Sequence, residues 1–151
     1  MVAALRFISL LLTSLLVGTM FGVWLGYNPA ALSAMAYVEM QQNAIRALNV
    51  PLPVLGAVCI VLTAILAVVT RDRSGRSLLV AAVICLVAAG VITRFANQPI
   101  NAVVMTWSVQ APAPDWAALR DTWWRWHVVR TVAGIAALAL ALLACIRARW
   151  G

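Results

Sequence analysis

The sequence predicts an all-α fold: a transmembrane antiparallel four-helix bundle with a short extra helix between the first two spans. Of its 151 residues, 65% are hydrophobic and only 10% are charged, whereas a soluble domain carries about a quarter charged residues. Four apolar runs are long enough to cross the roughly 30 Å hydrocarbon layer of a bilayer, and short connections join them. We expect one integral membrane domain over residues 1–151, with spans at about 5–27, 51–70, 77–95 and 128–147.

The first span, residues 5–27, carries no charge beyond Arg6. It is too long for the apolar core of a secretory signal, so we expect an uncleaved helix. Gly18, Gly22 and Gly26 recur at every fourth position, which is typical of a small face that lets another helix approach closely. This face is a candidate contact in a homo-oligomer, although glycine is also simply frequent in membrane helices.

A more polar helical segment over residues 30–49 follows the first span. At about 100° per residue, Glu39, Gln42 and Arg46 lie on one face of this segment. Two interpretations stay open: the stripe faces an interior site, or it is solvated at the membrane surface.

The second span, residues 51–70, begins with Pro51, which suits the first turn of a helix. The arginine-rich residues 71–76 predict a tight basic turn after it. The third span, residues 77–95, then opens with Ser77 as its candidate cap.

Pro99 lies just beyond the third span. It lacks an N–H and its ring clashes with the carbonyl one turn back, so we expect a kink near Phe95. Asp115 is placed to cap the last helix. That helix is predicted to end in snorkelling and interfacial side chains, those of Arg147, Arg149 and Trp150.

The formal net charge is +7. Most arginines flank or interrupt apolar runs, where they reflect topology or a buried site, so we expect a lipid bilayer as partner and no nucleic acid. Discounting Arg94 and Arg130, which lie within helical runs, favours cytoplasmic N- and C-termini, and we expect a bacterial inner membrane. The three cysteines lie in apolar runs without a metal or redox spacing.

The beginning of the last helix concentrates unusual residues on one face. At about 100° per residue, a face about 80° wide holds Trp116, Arg120, Trp123, His127 and Arg130. An interfacial belt of tryptophan and arginine does not require its members to share one stripe.

A second stripe lies near the end of the third span, where Arg94, Asn97 and Asn101 share a helical face. A buried arginine costs about 2.5–3.5 kcal/mol even on a lenient insertion scale, so it needs partners or a function. The alternative is that arginine snorkels and tryptophan anchors at the headgroups. We predict that the two stripes form one polar pocket, lined by Arg94, Asn97, Asn101, Arg120, Trp123, His127 and Arg130.

His127 is the candidate general base of this pocket, because an imidazole accepts a proton near neutral pH. We expect no metal site, since no second histidine or cysteine lies at ligand spacing. A role for the histidine as a single axial ligand of haem is the alternative.

Three blocks of the sequence carry a resemblance. The glycine-bearing first helix leads to Met-Gln-Gln at residues 40–42, and residues 97–101 read Asn-Gln-Pro-Ile-Asn with Trp107 after them. Residues 116–131 hold tryptophans followed by His127 and an arginine. In these blocks the chain resembles the anthrone oxygenase-like family of small four-helix membrane proteins. In the first block, either of the two glutamines can be the equivalent position.

The resemblance implies oxidation of anthrones to anthraquinones by O₂, with no cofactor established. It implies that His127 takes the benzylic proton of a planar phenolic substrate and that Arg94 and Arg130 stabilise the anion. Together with the two stripes, it leads us to expect substrate binding by Asn97, Asn101, Trp107, Trp116, Arg120, Trp123, Gln42 and Glu39.

Two other classes of function stay open. One is a non-catalytic membrane module that binds a quinone, a lipid or haem, and it predicts a bound ligand without turnover. The other is a structural subunit of a membrane complex, whose glycine face packs against another protein and predicts a tight oligomer.

Overall fold

The protein is described by a computed structural model over residues 2–147, and within that range it is almost entirely helical and contains no β-strand. The predicted all-α fold is confirmed. The helices are α1 (Val2–Gly26), α2 (Ala34–Leu48), α3 (Pro51–Val69), α4 (Arg73–Ile92), α5 (Gln98–Val104) and α6 (Trp116–Arg147), with a 3₁₀ turn at Pro29–Ala31 and a π turn at Thr93–Asn97. Four helical segments of the described chain are long and apolar enough to cross a membrane: Val2–Ala31, Pro51–Val69, Arg73–Val104 and Trp116–Arg147.

The four long segments pack as a ring in which α1 and α4 each contact both α3 and α6. Side-chain contacts show the relative directions of neighbouring helices. Ser9, near the start of α1, lies 3.2 Å from Thr63 in the second half of α3. Arg147, at the end of α6, donates to Ser74 at the start of α4 over 3.1 Å. Neighbouring helices are therefore antiparallel, as expected for short connections.

The centre of the bundle is filled by leucines from every side, among them Leu16, Leu66 and Leu86. Helix α6 contributes small side chains to the same core, those of Ala137, Ala141 and Ala144. Small residues let the helix backbones approach closely, which is how helices pack where lipid removes the hydrophobic driving force. The outward-facing surfaces of the helices carry exposed apolar side chains, such as those of Phe7, Leu25, Val68 and Ile84.

Helix α4 begins at Arg73, four residues before the predicted start of the third span at residue 77. The Asp72 side chain accepts hydrogen bonds from the backbone N–H groups of Ser74 and Gly75, so Asp72 is the N-cap. The Ser77 hydroxyl instead donates to the Arg73 carbonyl. The prediction of Ser77 as the cap is wrong, because the carboxylate of Asp72 already satisfies the free N–H groups of the first turn.

The helical segment that contains the third predicted span continues past residue 95 to Val104. The irregularity that Pro99 predicts near Phe95 is present as the π turn Thr93–Asn97, in which the Gln98 N–H bonds the Thr93 carbonyl. The wider turn accommodates the proline ring, whose contact with the carbonyl of residue 95 would otherwise break the helix. Helix α4, the π turn and α5 therefore form one continuous helical segment. Residues 93–104 lie at the end of the bundle where α2 lies, and we name this end the α2 end.

Helix α6 starts at Trp116, directly after Asp115, as predicted, and so includes the polar residues before the apolar span at 128–147. The predicted interfacial residues Arg149 and Trp150 lie outside the described range.

Helix α2 packs against α5 and α3. Its Gln42 side chain donates to the carbonyl groups of Val104 and Trp107, which ties α2 to the end of α5. Glu39 and Arg46 are exposed, whereas Gln42 is buried. The predicted stripe is thus mainly exposed, and only its glutamine is buried.

Candidate functional site

A cavity of about 450 Å³ lies between the six helices α1 to α6, near the α2 end. Most of its wall is apolar, and its polar side chains come from five helical segments. Among the described residues, no Asp or Glu lines it. The polar and aromatic lining consists of Tyr27, Gln41, Asn49, Thr93, Arg94, Gln98, Asn101, Trp123, His127 and Arg130.

His127 is buried in the wall of this cavity, with 1% of its surface exposed. Its Nε2 lies 3.1 Å from the backbone carbonyl of Met20, and its Nδ1 accepts from Arg130, whose Nη2 is 2.9 Å away and whose Nε is 3.2 Å away. A carbonyl only accepts and a guanidinium only donates, so the hydrogen lies on Nε2 and the lone pair on Nδ1. The geometry therefore describes a neutral imidazole.

Arg130 is held by neutral groups. Besides His127, its Nη1 donates to the Thr93 hydroxyl over 3.2 Å. Within residues 2–147 the only ion pair joins Arg120 and Asp121, so no described carboxylate neutralises Arg130. Arg94 also lines the cavity, and its guanidinium lies 5.8 Å from the ring centre of its neighbour Phe95. Arg94 is exposed, so the expectation of a buried arginine at this position is wrong. The described lining of the cavity thus contains two arginines and no acidic residue.

A flat aromatic wall stands beside the histidine. The rings of Trp123 and His127 are parallel, with centres 5.2 Å apart, because residues four apart lie on the same helical face. The Trp123 Nε1 donates to Asn101 over 2.8 Å, and Asn101 donates to Asn49 over 2.9 Å. The Arg130 guanidinium lies 5.8 Å from the Trp123 ring centre. These contacts hold the indole in one orientation.

Asn97 is fully buried behind this wall and does not line the cavity. Its side-chain N–H donates to the backbone carbonyl of Trp123 over 3.0 Å, which joins the π turn to α6. Its Oδ1 has no hydrogen-bond partner among the described residues. In this structure the Asn97 side chain stabilises the packing of the π turn against α6 and does not face the cavity.

The structure thus brings five of the predicted site residues together at the cavity, which are Arg94, Asn101, Trp123, His127 and Arg130. It places Arg120, Trp116, Trp107, Gln42 and Glu39 elsewhere.

Arg120 does not line the cavity, and its side chain interacts with Asp121 and Trp116 instead. It pairs with Asp121 over 2.9 Å and lies 4.8 Å from the Trp116 ring centre. Trp116 in turn packs against Tyr37, with ring centres 5.7 Å apart. Burial raises the pKa of Tyr37 to about 12, so its phenol stays protonated at neutral pH.

Trp107 and Gln42 form part of the structure that closes the α2 end. The Trp107 carbonyl accepts from Gln42, and its side chain packs into a small apolar cluster with Ile45 and Val104. Glu39 is exposed on the surface of α2. None of these three lines the cavity.

The sequence interpretation did not select Tyr27, Asn49 or Thr93, which line the cavity. Tyr27 ends the first apolar run, where a tyrosine is ordinary, and its hydroxyl donates to Gln41 over 3.1 Å. Thr93 lies beside Arg94, but only the packing of α4 on α6 shows that it holds Arg130. Gln41 was one of the two glutamines left open by the resemblance, and it is the one that lines the cavity.

A neutral imidazole, two guanidinium groups and an indole plane are suited to a planar ligand that carries oxygen atoms and develops negative charge. The amides of Gln41, Asn49 and Asn101 can orient further oxygen or N–H groups of such a ligand.

One of three comparisons with known proteins found a match. The family described as anthrone oxygenase matches residues 40–140, about two thirds of the chain. A search of curated proteins and a search of solved structures found no match. The matched range covers every polar lining residue except Tyr27, whereas the glycine-bearing α1 lies outside it. The chain belongs to the anthrone oxygenase family.

Proposed function

We propose that the protein is a membrane-embedded oxidoreductase that uses O₂ to oxidise a planar phenolic substrate of the polyketide type. The observation that carries the proposal is the pair of His127 and Arg130 at the wall of the cavity. This pair puts a neutral proton acceptor beside a guanidinium that no described carboxylate neutralises. These are the groups needed to form and stabilise a substrate anion.

The reaction that suits this pair converts a methylene between two aromatic rings into a carbonyl, so that R₂CH₂ and O₂ give R₂CO and H₂O. The first C–H bond gives its proton to Nδ1 of His127, and its electron pair stays on the carbon as a delocalised anion. The anion reduces O₂ and forms a C–O bond, giving a peroxide that takes the proton back. Cleavage of the O–O bond with loss of the second C–H hydrogen then yields the carbonyl and water.

Substrate binding to Arg130 would free the lone pair of His127, so that it can act as a base. In this structure its donors cover the lone pair of His127 Nδ1. An anionic substrate oxygen competes for the same donors, because its full negative charge attracts the guanidinium more strongly than the neutral imidazole does. As negative charge develops on the substrate, Arg130 would move to it and leave Nδ1 free to accept the proton.

The proposal is tested with the purified full chain, a hydroxylated anthrone and O₂, by following O₂ consumption and the absorbance of the anthraquinone. We expect His127→Ala to lower kcat by about 10²–10⁴-fold, the usual contribution of a general base. Trp126→Phe is the control, because Trp126 is exposed and does not line the cavity. Full oxidation by the His127 variant would remove the proposed base.

The alternative is a non-catalytic module that binds a quinone or lipid in the same cavity. Its largely apolar wall and its amide groups suit a quinone as well as a phenol. Haem is less well suited to this site, because both ring nitrogens of His127 already have partners. A bound quinone or lipid in the purified protein, without turnover of any anthrone, would favour this alternative.

The glycine face of α1 stays a candidate homo-oligomer contact. A Cβ added at Gly18, Gly22 or Gly26 would meet no atom within 4 Å, so the packing within the chain does not use this face. A tight oligomer that Gly22→Ile disrupts would support the structural-subunit interpretation, whereas a monomer in several detergents would oppose it.

We propose that the N- and C-termini are cytoplasmic and that the membrane is a bacterial inner membrane. The end of the bundle opposite the α2 end carries Arg6, Arg71, Arg73, Arg76 and Arg147. At the α2 end, Arg94 and Arg130 line the cavity and Arg120 is paired, which leaves fewer free cations. The positive-inside rule favours the first end as cytoplasmic, and accessibility of cysteines introduced at each end would test this.

A further inference from the structure

The cavity continues beyond its polar groups toward the middle of the bundle. The hydrogen bond between Arg130 and Thr93 marks the inner limit of the polar part. On α4 the lining extends from Thr93 back to Leu86, seven residues or about 10 Å of helix at about 1.5 Å per residue. On α1 it extends from Met20, whose carbonyl holds His127, one turn further to Leu16.

This inner part, which we name the apolar compartment, is lined by Leu16, Gly56, Ile60, Leu86, Ala89 and Gly90. None of these side chains carries a polar atom. A planar phenol held at Trp123 and His127 can extend only apolar atoms in this direction, because its oxygens would have no partner in the compartment. The compartment therefore calls for an additional ligand group that is aliphatic.

Two glycines leave the compartment open. A Cβ built at Gly56 would lie 3.9 Å from Leu16, and a Cβ built at Gly90 would lie 4.0 Å from Ile60. These are ordinary contact distances, so a methyl group is tolerated at either position. A leucine side chain at either position would extend further and occupy the space itself.

We propose that the substrate is a phenolic ring system of the anthrone type that bears one linear aliphatic tail, alkyl or isoprenoid, and that the tail occupies the apolar compartment. This inference rests on the proposed function and specifies its substrate class. The ring lies against Trp123 with its oxygens toward Arg94 and Arg130, and the tail lies between α1, α3 and α4. Such a molecule dissolves in the bilayer, which is where the exposed apolar surface places the protein.

The test measures equilibrium binding of two phenols to the full chain in lipid nanodiscs: 5-decylresorcinol, which has a tail, and 5-methylresorcinol, which lacks one. We expect Gly90→Leu to weaken binding of the decyl compound by about tenfold or more, equivalent to about 1.4 kcal/mol. Binding of the methyl compound should stay within about twofold of wild type. Because each ligand is compared between variants in the same lipid, its partition into the bilayer cancels.

Matched variants keep the result interpretable. Gly56→Leu, from the opposite wall, should reproduce the selective loss, and Gly90→Ala should stay near wild type. Ala88→Leu is the control, because Ala88 is exposed on the same helix and does not line the cavity. Thermal unfolding of each variant shows whether it is folded, and Gly56→Leu supplies the test if Gly90→Leu is not.

An equal loss of both phenols in the leucine variants, or no loss of either, would overturn the proposal. So would a wild-type protein that fails to bind 5-decylresorcinol. Anthrone oxidation needs no tail, so the outcome of that assay judges the proposed function separately.

Discussion

The Arg130 guanidinium donates to Nδ1 of His127 across one turn of α6, with Nη2 at 2.9 Å and Nε at 3.2 Å. The imidazole is fixed on its other side by the Met20 carbonyl of α1. The only histidine of the chain is thus held with its lone pair on the side of a guanidinium that lines the cavity. Arg130 can stabilise an anion or cover the base, and it cannot do both with the same donors.

Replacing Arg130 with methionine should separate these roles. The change frees Nδ1 of His127 and removes the cation, so we expect kcat for anthrone oxidation to fall by about 10²–10³-fold, the usual loss for one oxyanion donor. Steady-state O₂ consumption measures the effect. Arg125→Met is the matched control, because Arg125 is exposed and does not line the cavity. Equal rates for the two variants would contradict a role of Arg130 in anion stabilisation.

Replacing Asn101 with alanine should loosen the aromatic wall. The Trp123 indole loses its acceptor and Asn49 loses its donor, and an unsatisfied buried donor costs about 1–3 kcal/mol. We expect a lower melting temperature, a weaker near-ultraviolet circular dichroism signal and a KM raised by about tenfold. Asn43→Ala is the control, because Asn43 is exposed and bonds only Arg46 in the described structure. An unchanged near-ultraviolet signal would show that Asn101 does not orient the indole.

Replacing Gly134 with leucine should force α1 and α6 apart. A Cβ at Gly134 would lie 3.3 Å from Val17 and 3.7 Å from Met20, so a larger side chain cannot fit without a shift. Overpacking of this kind costs about 1–3 kcal/mol. Thermal unfolding in detergent measures it, with Gly22→Leu as control because Gly22 faces open space. Equal melting temperatures for the two variants would argue against close packing of α1 on α6.

The cap of α4 gives a prediction that tests the described start of this helix. Asp72→Ala removes the acceptor for two backbone N–H groups and should lower stability by about 1 kcal/mol, whereas Ser77→Ala should change it by only a few tenths. Chemical or thermal unfolding of both variants measures the difference. A larger loss for Ser77→Ala would place the start of the helix at residue 77 instead.

Hydrophobicity and length were enough to predict the bundle, because each long apolar run must satisfy its own backbone in lipid and a helix does so locally. Helix ends were harder to predict. Ser77 is not the cap, because Asp72, between two arginines, caps α4 instead. The helix continues past Phe95, because a π turn before Pro99 accommodates the proline. Periodicity shows neither of these local features.

Some features of the candidate site follow from the sequence, and others need the tertiary structure. Spacing on α6 correctly put Trp123, His127 and Arg130 on one face, since that relationship depends only on the helical repeat. The same spacing also predicts Arg120 on that face, but the Arg120 side chain forms an ion pair with Asp121 and does not line the cavity. The choice between Gln41 and Gln42 needed the position of α2, because adjacent residues of a helix point in directions about 100° apart.

The sequence by itself determined the number of apolar helices, the family and the face of α6 that carries the charged and aromatic residues. Only the tertiary structure decided which of those residues meet at a cavity, that Met20 and Thr93 hold His127 and Arg130, and that an apolar compartment lies beyond them. The physical reason is that a helical repeat sets directions around one axis. The depth and rotation of the neighbouring helices follow from packing across the whole bundle.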